Sequence, residues 1–503
     1  MPSLVMALDQ GTTSSRAVIF DQGLQTLGVG QVEFPQHFPE PGRVEHDPME
    51  LWDSQRRAIE GALRSAGVSA GDLAAIGITN QRETVMLWER ATGRPIGRAI
   101  VWQDRRTAPR MAALRAEPGR AESVHHATGL VLDPYFSASK IEWMLSDGCP
   151  DLRARAERGE ICAGTMDSWL VWQLTAGAAH ITDLSNASRT MLMDLRTLAW
   201  DDSLCALFQV PRAMLPRIVA SGGVSAHSDA AILGARIPIA GILGDQQAAL
   251  FGQQCLQPGQ AKCTYGTGCF LLSNTGHEPR LSTKGLLTTV AWQRAGEPAT
   301  FALEGSVFMG GATIQWLRDG LGIIASSPEV NDLAASVPDT AGVTLVPAFA
   351  GLGAPHWDAH ARGLIGGLTR GATKAHIARA ALEGISFQCA ELFDAFAHDG
   401  GAPLEAIRVD GGAAASDVLM QIQANLSGLA IERPRMLEST ALGAAFMAGL
   451  TVGVWASTDE LTAHRGVDRI FQPCGDDGWR ATERLRWSRA VERSKGWDLQ
   501  VGG

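Results

Sequence analysis

Two short glycine–threonine loops carry the residue types that bind phosphate groups. The first, DQGTTSSR, begins with Asp9 and Gly11, continues with four hydroxyl residues at 12–15 and ends with Arg16. Glycine lets the backbone approach a phosphate, hydroxyls and backbone N–H groups bind its oxygens, and a carboxylate holds Mg²⁺ through water. A polar hairpin turn explains this loop equally well when it is taken alone. The paired loop YGTG at 265–268 favours phosphate, because two such loops could hold a polyphosphate between them.

A third glycine-rich segment, RVDGGAAASD at 408–417, predicts a strand, a turn at Gly411 and Gly412, and a helix from about Ser416. The glycines would let an adenine ring or a phosphate approach the backbone, although a plain strand-to-helix turn is the simpler interpretation. The sequence has neither a G-x-x-x-x-G-K-[ST] loop nor an H-R-D motif. Any nucleotide site therefore belongs to neither the P-loop class nor the protein-kinase class.

Asp245 is the best candidate for a base that accepts the proton of an attacking hydroxyl. It follows the apolar run at 237–243 and precedes Gln246 and Gln247. A carboxylate at a strand end, next to a glycine, is well placed to enter a cleft, where phosphoryl transfer needs a base near the acceptor. The alternative is that Asp245 is the N-cap of the helix that follows.

Five residues could form a site for a small polyol. Arg82 and Glu83 are adjacent in a predicted turn, where one donates and the other accepts hydrogen bonds, so they could hold two neighbouring hydroxyls. Trp102 and Phe270 could form an apolar wall against the carbon chain, and Tyr135 could add a hydroxyl contact. The alternatives are an exposed charge pair for Arg82 and Glu83, and ordinary core packing for the two aromatic residues.

The elements around these residues predict an α/β fold. Strands are predicted on both sides of the first loop and of the turn at Arg82, and a helix capped by Asp47 is predicted over 47–66. Strands that alternate with helices indicate an α/β core. The strand–loop–strand pattern recurs around 265–268, and this weak repeat predicts two related domains, residues 1–252 and 253–503.

A second helix is predicted after Thr373 from its apolar spacing. Five of its residues fall on one stripe that should face the core, namely Ile377, Ala381, Ile385, Leu392 and Phe396.

Composition excludes several classes of protein. The 503 residues carry a net charge of −10, from 43 basic and 53 acidic side chains, which argues against a nucleic-acid binder. The eight cysteines form no C-x-x-C pair, so neither a disulfide framework nor a zinc site is expected. No secretory signal and no apolar run long enough to span a membrane is visible, and a soluble cytoplasmic protein is expected.

Together these segments resemble the glycerol-using branch of the FGGY carbohydrate-kinase family. NQRET and VWQDRRT are specific to that branch rather than to sugar kinases at large. The matching segments follow one order over nearly the whole chain: ALDQGTTSSRA at 7–17, NQRET at 80–84, VWQDRRT at 101–107, GDQQAALFGQ at 244–253, YGTGCF at 265–270, FMGGATIQWLRD at 308–319, GLTRGATKAHIARAALEGISF at 367–387 and RVDGGAAAS at 408–416.

The resemblance implies two actin-like (ribonuclease-H-like) α/β ATPase domains with the active site in the cleft between them. The implied reaction is the transfer of a phosphoryl group from Mg-ATP to glycerol, giving sn-glycerol 3-phosphate and ADP, with Asp245 as the base and Asp9 and Asp245 near Mg²⁺. The implied acceptor contacts are Arg82, Glu83, Trp102, Tyr135, Asp245, Gln246 and Phe270. The implied nucleotide contacts are Thr12, Thr13, Ser14, Arg16, Thr267, Gly311, Gln315, Gly412 and Ser416, the last of which is asparagine in several family members.

The resemblance also implies an effector site and an oligomeric state. The segment LGARIPI, with Gly234 and Arg236, resembles part of a loop that binds fructose 1,6-bisphosphate in some family members, although an ordinary surface arginine is an equally good interpretation. A homodimer or homotetramer is the usual state in the family and is expected here.

Two other functions remain open from the sequence. One is a pentulose or other polyol kinase of the same family, against which the Arg82–Glu83 pair beside Trp102 argues, because a two-point clamp suits a three-carbon chain. The other is an ATP-driven conformational module of the actin or heat-shock type, which would have phosphate loops but no acceptor pocket.

Overall fold

The structure is a computed structural model that describes residues 3–146 and 150–498, without the side chains of residues 150, 463 and 464. The strands are β1 (Leu4–Gln10), β2 (Ser14–Phe20), β3 (Thr26–Glu33), β4 (Glu45–His46), β5 (Leu73–Asn80), β6 (Val85–Glu89), β7 (Ala99–Ile100), β8 (Ile161–Thr165), β9 (Ile181–Asp183), β10 (Met193–Asp194), β11 (Ala199–Trp200), β12 (Arg217–Val219), β13 (Gly222–His227), β14 (Pro238–Gly244), β15 (Ala261–Tyr265), β16 (Cys269–Gly276), β17 (Leu287–Trp292), β18 (Thr300–Val307), β19 (Thr344–Val346), β20 (Leu364–Gly366), β21 (Ala406–Asp410), β22 (Ala430–Pro434) and β23 (Val467–Phe471).

The helices are α1 (Pro48–Ala66), α2 (Ala108–Ala116), α3 (Arg120–Thr128), α4 (Ser137–Ser146), α5 (Pro150–Glu157), α6 (Met166–Leu174), α7 (Leu184–Ala187), α8 (Asp202–Leu207), α9 (Ala230–Leu233), α10 (Asp245–Gly252), α11 (Gly311–Asp319), α12 (Glu329–Ala335), α13 (Lys374–Asp399), α14 (Asp417–Ser427), α15 (Ser439–Val452), α16 (Thr458–His464) and α17 (Asp477–Ser494).

Two mixed sheets with the same internal order form the frame. In the first sheet, β1, β2 and β3 are antiparallel neighbours, and β5 and β14 extend it on the other side of β1 as parallel strands. In the second sheet, β15, β16 and β18 are antiparallel, and β21 and β22 extend it as parallel strands. The predicted repeat is therefore confirmed, because each glycine–threonine loop joins the first two strands of its sheet.

The two predicted helices form as the sequence indicates. Helix α1 begins at Pro48, and the Asp47 carboxylate caps it by accepting the N–H of Met49 at 2.8 Å. Helix α13 buries Ala381, Ile385, Leu392 and Phe396, while Ile377 at its first turn is only half-buried.

Helices α10 and α15 cross where the two sheets meet. Helix α15 follows β22 of the second sheet, yet it packs against β5, β14 and β1 of the first sheet. Gly443 and Gly252 make the crossing possible, because a Cβ on Gly443 would lie 1.8 Å from the carbonyl oxygen of Ala248. The chain thus returns to the first sheet after the second sheet has begun. The predicted domain boundary at residue 252 therefore stays a prediction.

Among the residues that the structure describes, none of the helices combines the length and apolar character that crossing a membrane requires.

Candidate functional site

Asp245 lies at the junction of β14 and α10. The N-cap of α10 is Gly244 and Asp245 is the first helical residue, so the alternative assignment of Asp245 as the N-cap is wrong. Its Oδ1 accepts the N–H of Gln246 at 2.7 Å and lies 3.2 Å from Nε of Arg82. Because the side chain is 30% exposed, a bound molecule can reach this carboxylate. Burial raises the pKa of Asp245, and the Arg82 guanidinium limits that rise.

Arg82 and Glu83 occupy a tight turn between β5 and β6. Glu83 has a φ of 61°, in the left-handed region, which is unfavourable for any residue other than glycine. Arg82 is 2% exposed and Glu83 is 1% exposed, so the alternative of an exposed charge pair is wrong. Asn80 Nδ2 donates to the backbone carbonyl of Gln81 at 2.9 Å, and the Asn80 side chain exchanges hydrogen bonds with that of Asn186 at 3.0 and 3.1 Å.

A buried network of charges surrounds this turn. Glu304 of β18 accepts hydrogen bonds from both terminal nitrogens of Arg82, with Nη2 at 2.9 Å from Oε1. Arg189 donates from Nε to Glu83 at 2.6 Å and from Nη2 to Glu304 at 2.9 Å. The fork of Arg82, which the sequence analysis assigns to an acceptor molecule, is thus directed at Glu304 in this structure. Its Nη2 also lies 3.5 Å from the hydroxyl of Tyr135.

Arg189 and Glu304 are site residues that sequence reasoning missed. Both side chains are completely buried. Glu304 lies in the strand TFALEGSV, in which every residue is buried. A charged residue within such an apolar strand is a signal that could have identified it, because charges are rarely buried without a partner.

Three aromatic rings form a wall beside Arg82. The ring centroids of Trp102 and Tyr135 are 5.7 Å apart, and those of Trp102 and Phe270 are 6.3 Å apart. Trp102 and Phe270 are both half-buried, so neither is simply a core residue. The indole N–H of Trp102 donates to Thr12 Oγ1 at 3.0 Å, which joins this wall to the first glycine–threonine loop. The turn that carries Tyr135 is fixed by buried Lys140, whose Nζ donates to the Tyr135 carbonyl at 2.7 Å.

Gln246 is buried next to Asp245, and its Oε1 accepts a hydrogen bond from Lys262. Lys262 Nζ also donates to Thr264 Oγ1 at 2.7 Å and to the Phe270 carbonyl at 3.3 Å. Lys262, which sequence reasoning missed, is completely buried, and burial lowers its pKa. It therefore ties α10 to the strand pair that carries the second loop.

The first loop presents its hydroxyls unevenly. Thr13 is exposed, and Ser14, which accepts Gln31 Nε2 at 3.1 Å, is half-buried. Ser15 is buried and bonds to Gln10 at 3.0 Å and to Ser54 at 2.7 Å. Of the four hydroxyl residues at 12–15, Ser15 therefore points into the protein, because β2 begins at Ser14 and side chains alternate along a strand. Arg16 forms an ion pair with Glu438 across the two halves of the chain.

Asp9, near the end of β1, faces Asp245. Burial raises the pKa of Asp9 to about 7, and repulsion from the Asp245 charge adds to this rise. A buried carboxyl whose proton affinity is raised by a neighbouring carboxylate is also in a position where a divalent cation is attracted. Among residues 3–146 and 150–498, no group of three or more His, Cys, Asp or Glu side chains forms a metal cage. Two carboxylates fit Mg²⁺, which keeps most of its waters and binds substrate phosphates.

The second loop opens onto a cavity of about 510 Å³. The backbone of the loop joins the start of α11, since the Gly311 N–H donates to the Gly266 carbonyl at 2.8 Å. All five residues predicted to contact the nucleotide from the second half of the chain line this one cavity: Thr267, Gly311, Gln315, Gly412 and Ser416.

Ser416 has a structural role in this cavity. It is the N-cap of α14, where its Oγ accepts the N–H of Leu419 at 3.0 Å and donates to Oδ1 of Asn331 at 2.5 Å. Asn331 also lines the cavity, so a carboxamide stands beside Ser416 even though residue 416 itself is a serine.

The two residues predicted to bind an effector, Gly234 and Arg236, do not line the 510 Å³ cavity. Gly234 is the C-cap of α9, with a φ of 81°. Arg236 lines a separate cavity of about 680 Å³ with Arg217, His180 and His227. Binding of a phosphorylated effector by Arg236 stays a prediction.

Comparison with known proteins was informative for both halves of the chain. Residues 4–252 match the N-terminal domain and residues 261–452 the C-terminal domain of the FGGY family of carbohydrate kinases. The glycerol kinase of Aromatoleum aromaticum is 57% identical over 98% of this chain and 99% of its own length, and that of Deinococcus radiodurans is 56% identical over 98% of each.

Solved structures agree with these matches. Glycerol kinase of Plasmodium falciparum, solved with ADP, superposes with a TM-score of 0.91 at 36% identity and covers 98% of both chains. Xylulose kinase of Lactobacillus acidophilus has a TM-score of 0.83 at 22% identity over 97% of both chains, which shows a shared fold alone. The predicted resemblance and the predicted two-domain fold are thus confirmed, and the chain belongs to the FGGY family of carbohydrate kinases.

Proposed function

We propose that this protein transfers the γ-phosphoryl group of ATP to a terminal hydroxyl of glycerol, giving sn-glycerol 3-phosphate and ADP. The relatives named glycerol kinase, more than 50% identical over nearly their full length, support this choice of acceptor within the family. The geometry supports it independently, because one continuous set of contacts joins a base candidate, an acceptor wall and a phosphate loop.

The observation that carries the proposal is the position of Asp245. Its carboxylate is partly exposed and lies 3.2 Å from Arg82, which reaches Tyr135, and through Tyr135 the aromatic wall. Trp102 of that wall bonds to Thr12 of the first phosphate loop. A hydroxyl placed against the wall would therefore have a base on one side and a phosphate loop on the other. The apolar surface that these three aromatic rings form together is suited to the carbon chain of a small polyol.

The chemistry follows from these positions. The acceptor oxygen attacks the γ-phosphorus as the bond to the β–γ bridging oxygen breaks, and ADP leaves. The hydroxyl proton goes to Asp245, whose pKa is raised above that of an exposed carboxylate and which is therefore the better base. The Arg82 guanidinium beside Asp245 favours the ionised form of this carboxylate, which is the form that can accept a proton. Holding acceptor and donor in line contributes roughly 7–11 kcal/mol to such a transfer.

The nucleotide lies along the 510 Å³ cavity in this proposal, with Gln315, Gly412 and Ser416 near its nucleoside and Thr267 and Gly311 near its phosphates. Thr12, Thr13, Ser14 and Arg16 approach the phosphates from the first domain. Asp9 and Asp245 would hold Mg²⁺, which neutralises phosphate charge when it is bound.

An assay of ADP formation with single acceptors tests the proposal. We expect glycerol to support turnover, dihydroxyacetone to support less, and xylulose and ribulose to support almost none. Dihydroxyacetone lacks the central hydroxyl of glycerol, and a polar site rejects analogues that lack a bonded hydroxyl, by as much as about 10⁴-fold. Xylulose and ribulose are longer than the three-carbon chain for which the site is proposed. Xylulose or ribulose as the preferred acceptor would assign a pentulose kinase instead. ADP release that does not respond to any acceptor would assign an ATPase module.

A further inference from the structure

Glu304 and Arg189 form a buried pair, and each bonds directly to a proposed acceptor residue, Glu304 to Arg82 and Arg189 to Glu83. We infer that Glu304 and Arg189 are positioning residues for acceptor recognition, an inference that rests on the proposed function. Glu304 orients Arg82 and Arg189 orients Glu83, so the acceptor site is preset before a molecule enters it.

The hydrogen bonds are specific enough to fix both side chains. Glu304 grips the fork of Arg82 with both carboxylate oxygens, a bidentate geometry that leaves the guanidinium plane little freedom. The Nε edge of Arg82 is thereby turned towards Asp245. Arg189 holds Oε1 of Glu83 at 2.6 Å, and Glu83 has the strained φ of 61° that needs support from its surroundings.

Two arginines and two glutamates form the centre of the network, and Arg82 also pairs with Asp245 at its edge. Arg82 and Arg189 contribute two positive charges, and Glu83 and Glu304 contribute two negative charges, all completely or nearly completely buried. The Arg189 and Arg82 guanidiniums hold the pKa of Glu304 at about 2, so it stays ionised. Buried ion pairs are poor sources of net stability, since desolvation offsets their attraction. A role in orienting the acceptor residues explains why four charges are kept here better than a role in stability does.

The network also crosses from one domain to the other. Glu304 belongs to β18 in the second sheet, whereas Arg82 and Arg189 belong to the first half of the chain. Gln247 of α10 reinforces this crossing, because its Oε1 accepts Arg82 Nη1 at 3.2 Å and its Nε2 donates to Thr289 of β17 at 3.2 Å. The nucleotide-binding half of the chain thus sets the geometry of the acceptor site in the other half.

Two variants separate positioning from stability. Glu304→Gln leaves one excess positive charge buried, and we expect a lower melting temperature together with a loss of acceptor use. The double variant Arg189→Gln, Glu304→Gln restores the balance of charge between Arg82 and Glu83. If the pair positions the site, the double variant should recover most of the melting temperature but keep kcat/KM for glycerol at least about 100-fold below that of the wild type.

The readouts are the melting temperature, the dissociation constant of a fluorescent ADP analogue, and kcat and KM for glycerol and for ATP. We expect the change to appear in the glycerol constants, with ADP affinity and the KM for ATP within about threefold of the wild type. Thr300→Ser, four residues before Glu304 on the same strand, is the matched control. A double variant whose kcat/KM for glycerol lies within threefold of the wild type would overturn the inference. Should the wild type prefer another acceptor, the proposed function fails, and the same comparison is made with that acceptor.

Discussion

Asp9 and Asp245 place two carboxyl groups close together, and burial is the largest cause of the raised pKa of each. Repulsion from Asp245 adds to the rise at Asp9, whereas the Arg82 guanidinium limits the rise at Asp245. Such a pair is unfavourable in the empty protein and favourable around a cation. The two carboxylates therefore lower the stability of the empty protein, and binding of Mg-ATP raises it again.

The pKa of Asp9 gives a prediction for stability against pH. Asp9 keeps its proton in the folded state up to a pH of about 7, whereas an unperturbed aspartate loses it near 3.8. Because the folded state binds the proton more tightly, its free energy of unfolding falls as the pH rises from about 4 to about 7. Asp9→Asn removes this loss. Without Mg²⁺, we expect the variant to be more stable than the wild type at pH 8, on the order of a few kcal/mol, and equally stable at pH 4.

Urea unfolding at several pH values measures this difference. Glu405→Gln, at an exposed position just before β21, is the control and should not gain stability relative to the wild type between pH 4 and pH 8. A constant gap between the Asp9 variant and the wild type from pH 4 to pH 8 would contradict the assigned pKa.

The proposed catalytic and acceptor residues lie at the ends of neighbouring strands, and helices pack against these strand ends. Asp9 lies near the end of β1, Arg82 follows β5, and Asp245 follows β14. These three strands are parallel neighbours, so they end at the same edge of the sheet. The crossing of α10 and α15 then fixes β14 against the second sheet. The short distance between these two helices is thus part of the active-site geometry.

Substitution of Gly443 by alanine tests the importance of that crossing. In an exposed helix, this change stabilises by about 1 kcal/mol, because alanine is the better helix former. Here the added Cβ would lie 1.8 Å from the Ala248 carbonyl oxygen and 2.9 Å from the Gly252 nitrogen, so the helices must move apart. We expect net destabilisation of about 1–3 kcal/mol and reduced turnover of glycerol.

Thermal unfolding and the ADP assay measure both effects. Gly366→Ala is the matched control, because its Cβ would meet nothing within 4 Å. Higher stability in the Gly443 variant than in the wild type would mean that the two helices pack more loosely than described.

The two domains share one hydrophobic core at their junction. That core contains Val5 and Ala75 of the first sheet, Leu272 and Ala302 of the second, and Phe446 of α15. Buried charges cross the same junction at Glu304 and Arg82. Separation of the two halves would expose apolar surface and leave charges unpaired. Any domain movement must therefore keep this junction intact.

A single unfolding transition is therefore expected for the whole chain. Separate domains often unfold in separate steps, but a shared core couples them. Tryptophans report on both halves, with Trp88 and Trp169 buried in the first and Trp455 and Trp487 in the second. Fluorescence and far-ultraviolet circular dichroism should give the same urea midpoint. Two transitions separated by more than the fitting error would contradict the coupling.

The sequence was sufficient to predict the family, the repeated fold and most of the residues that meet in the cleft. Paired glycine–threonine loops predicted two related sheets because each loop has a fixed place between two strands. It was insufficient for Arg189, Glu304 and Lys262, whose roles depend on distant contacts. Glu304 lies 222 residues from its partner Arg82. Nor could it foresee that Ser15 turns inward, since that depends on the residue at which β2 begins.

Turnover by the Asp245→Asn variant tests the assignment of the base most directly. Asparagine keeps the size of the side chain and its place at the start of α10 but cannot take the hydroxyl proton. We predict that kcat with glycerol falls by about 10²–10⁴-fold, while binding of a fluorescent ADP analogue without Mg²⁺ changes by less than threefold. If kcat stays within tenfold of the wild type, Asp245 is not the base and the account of this site is wrong.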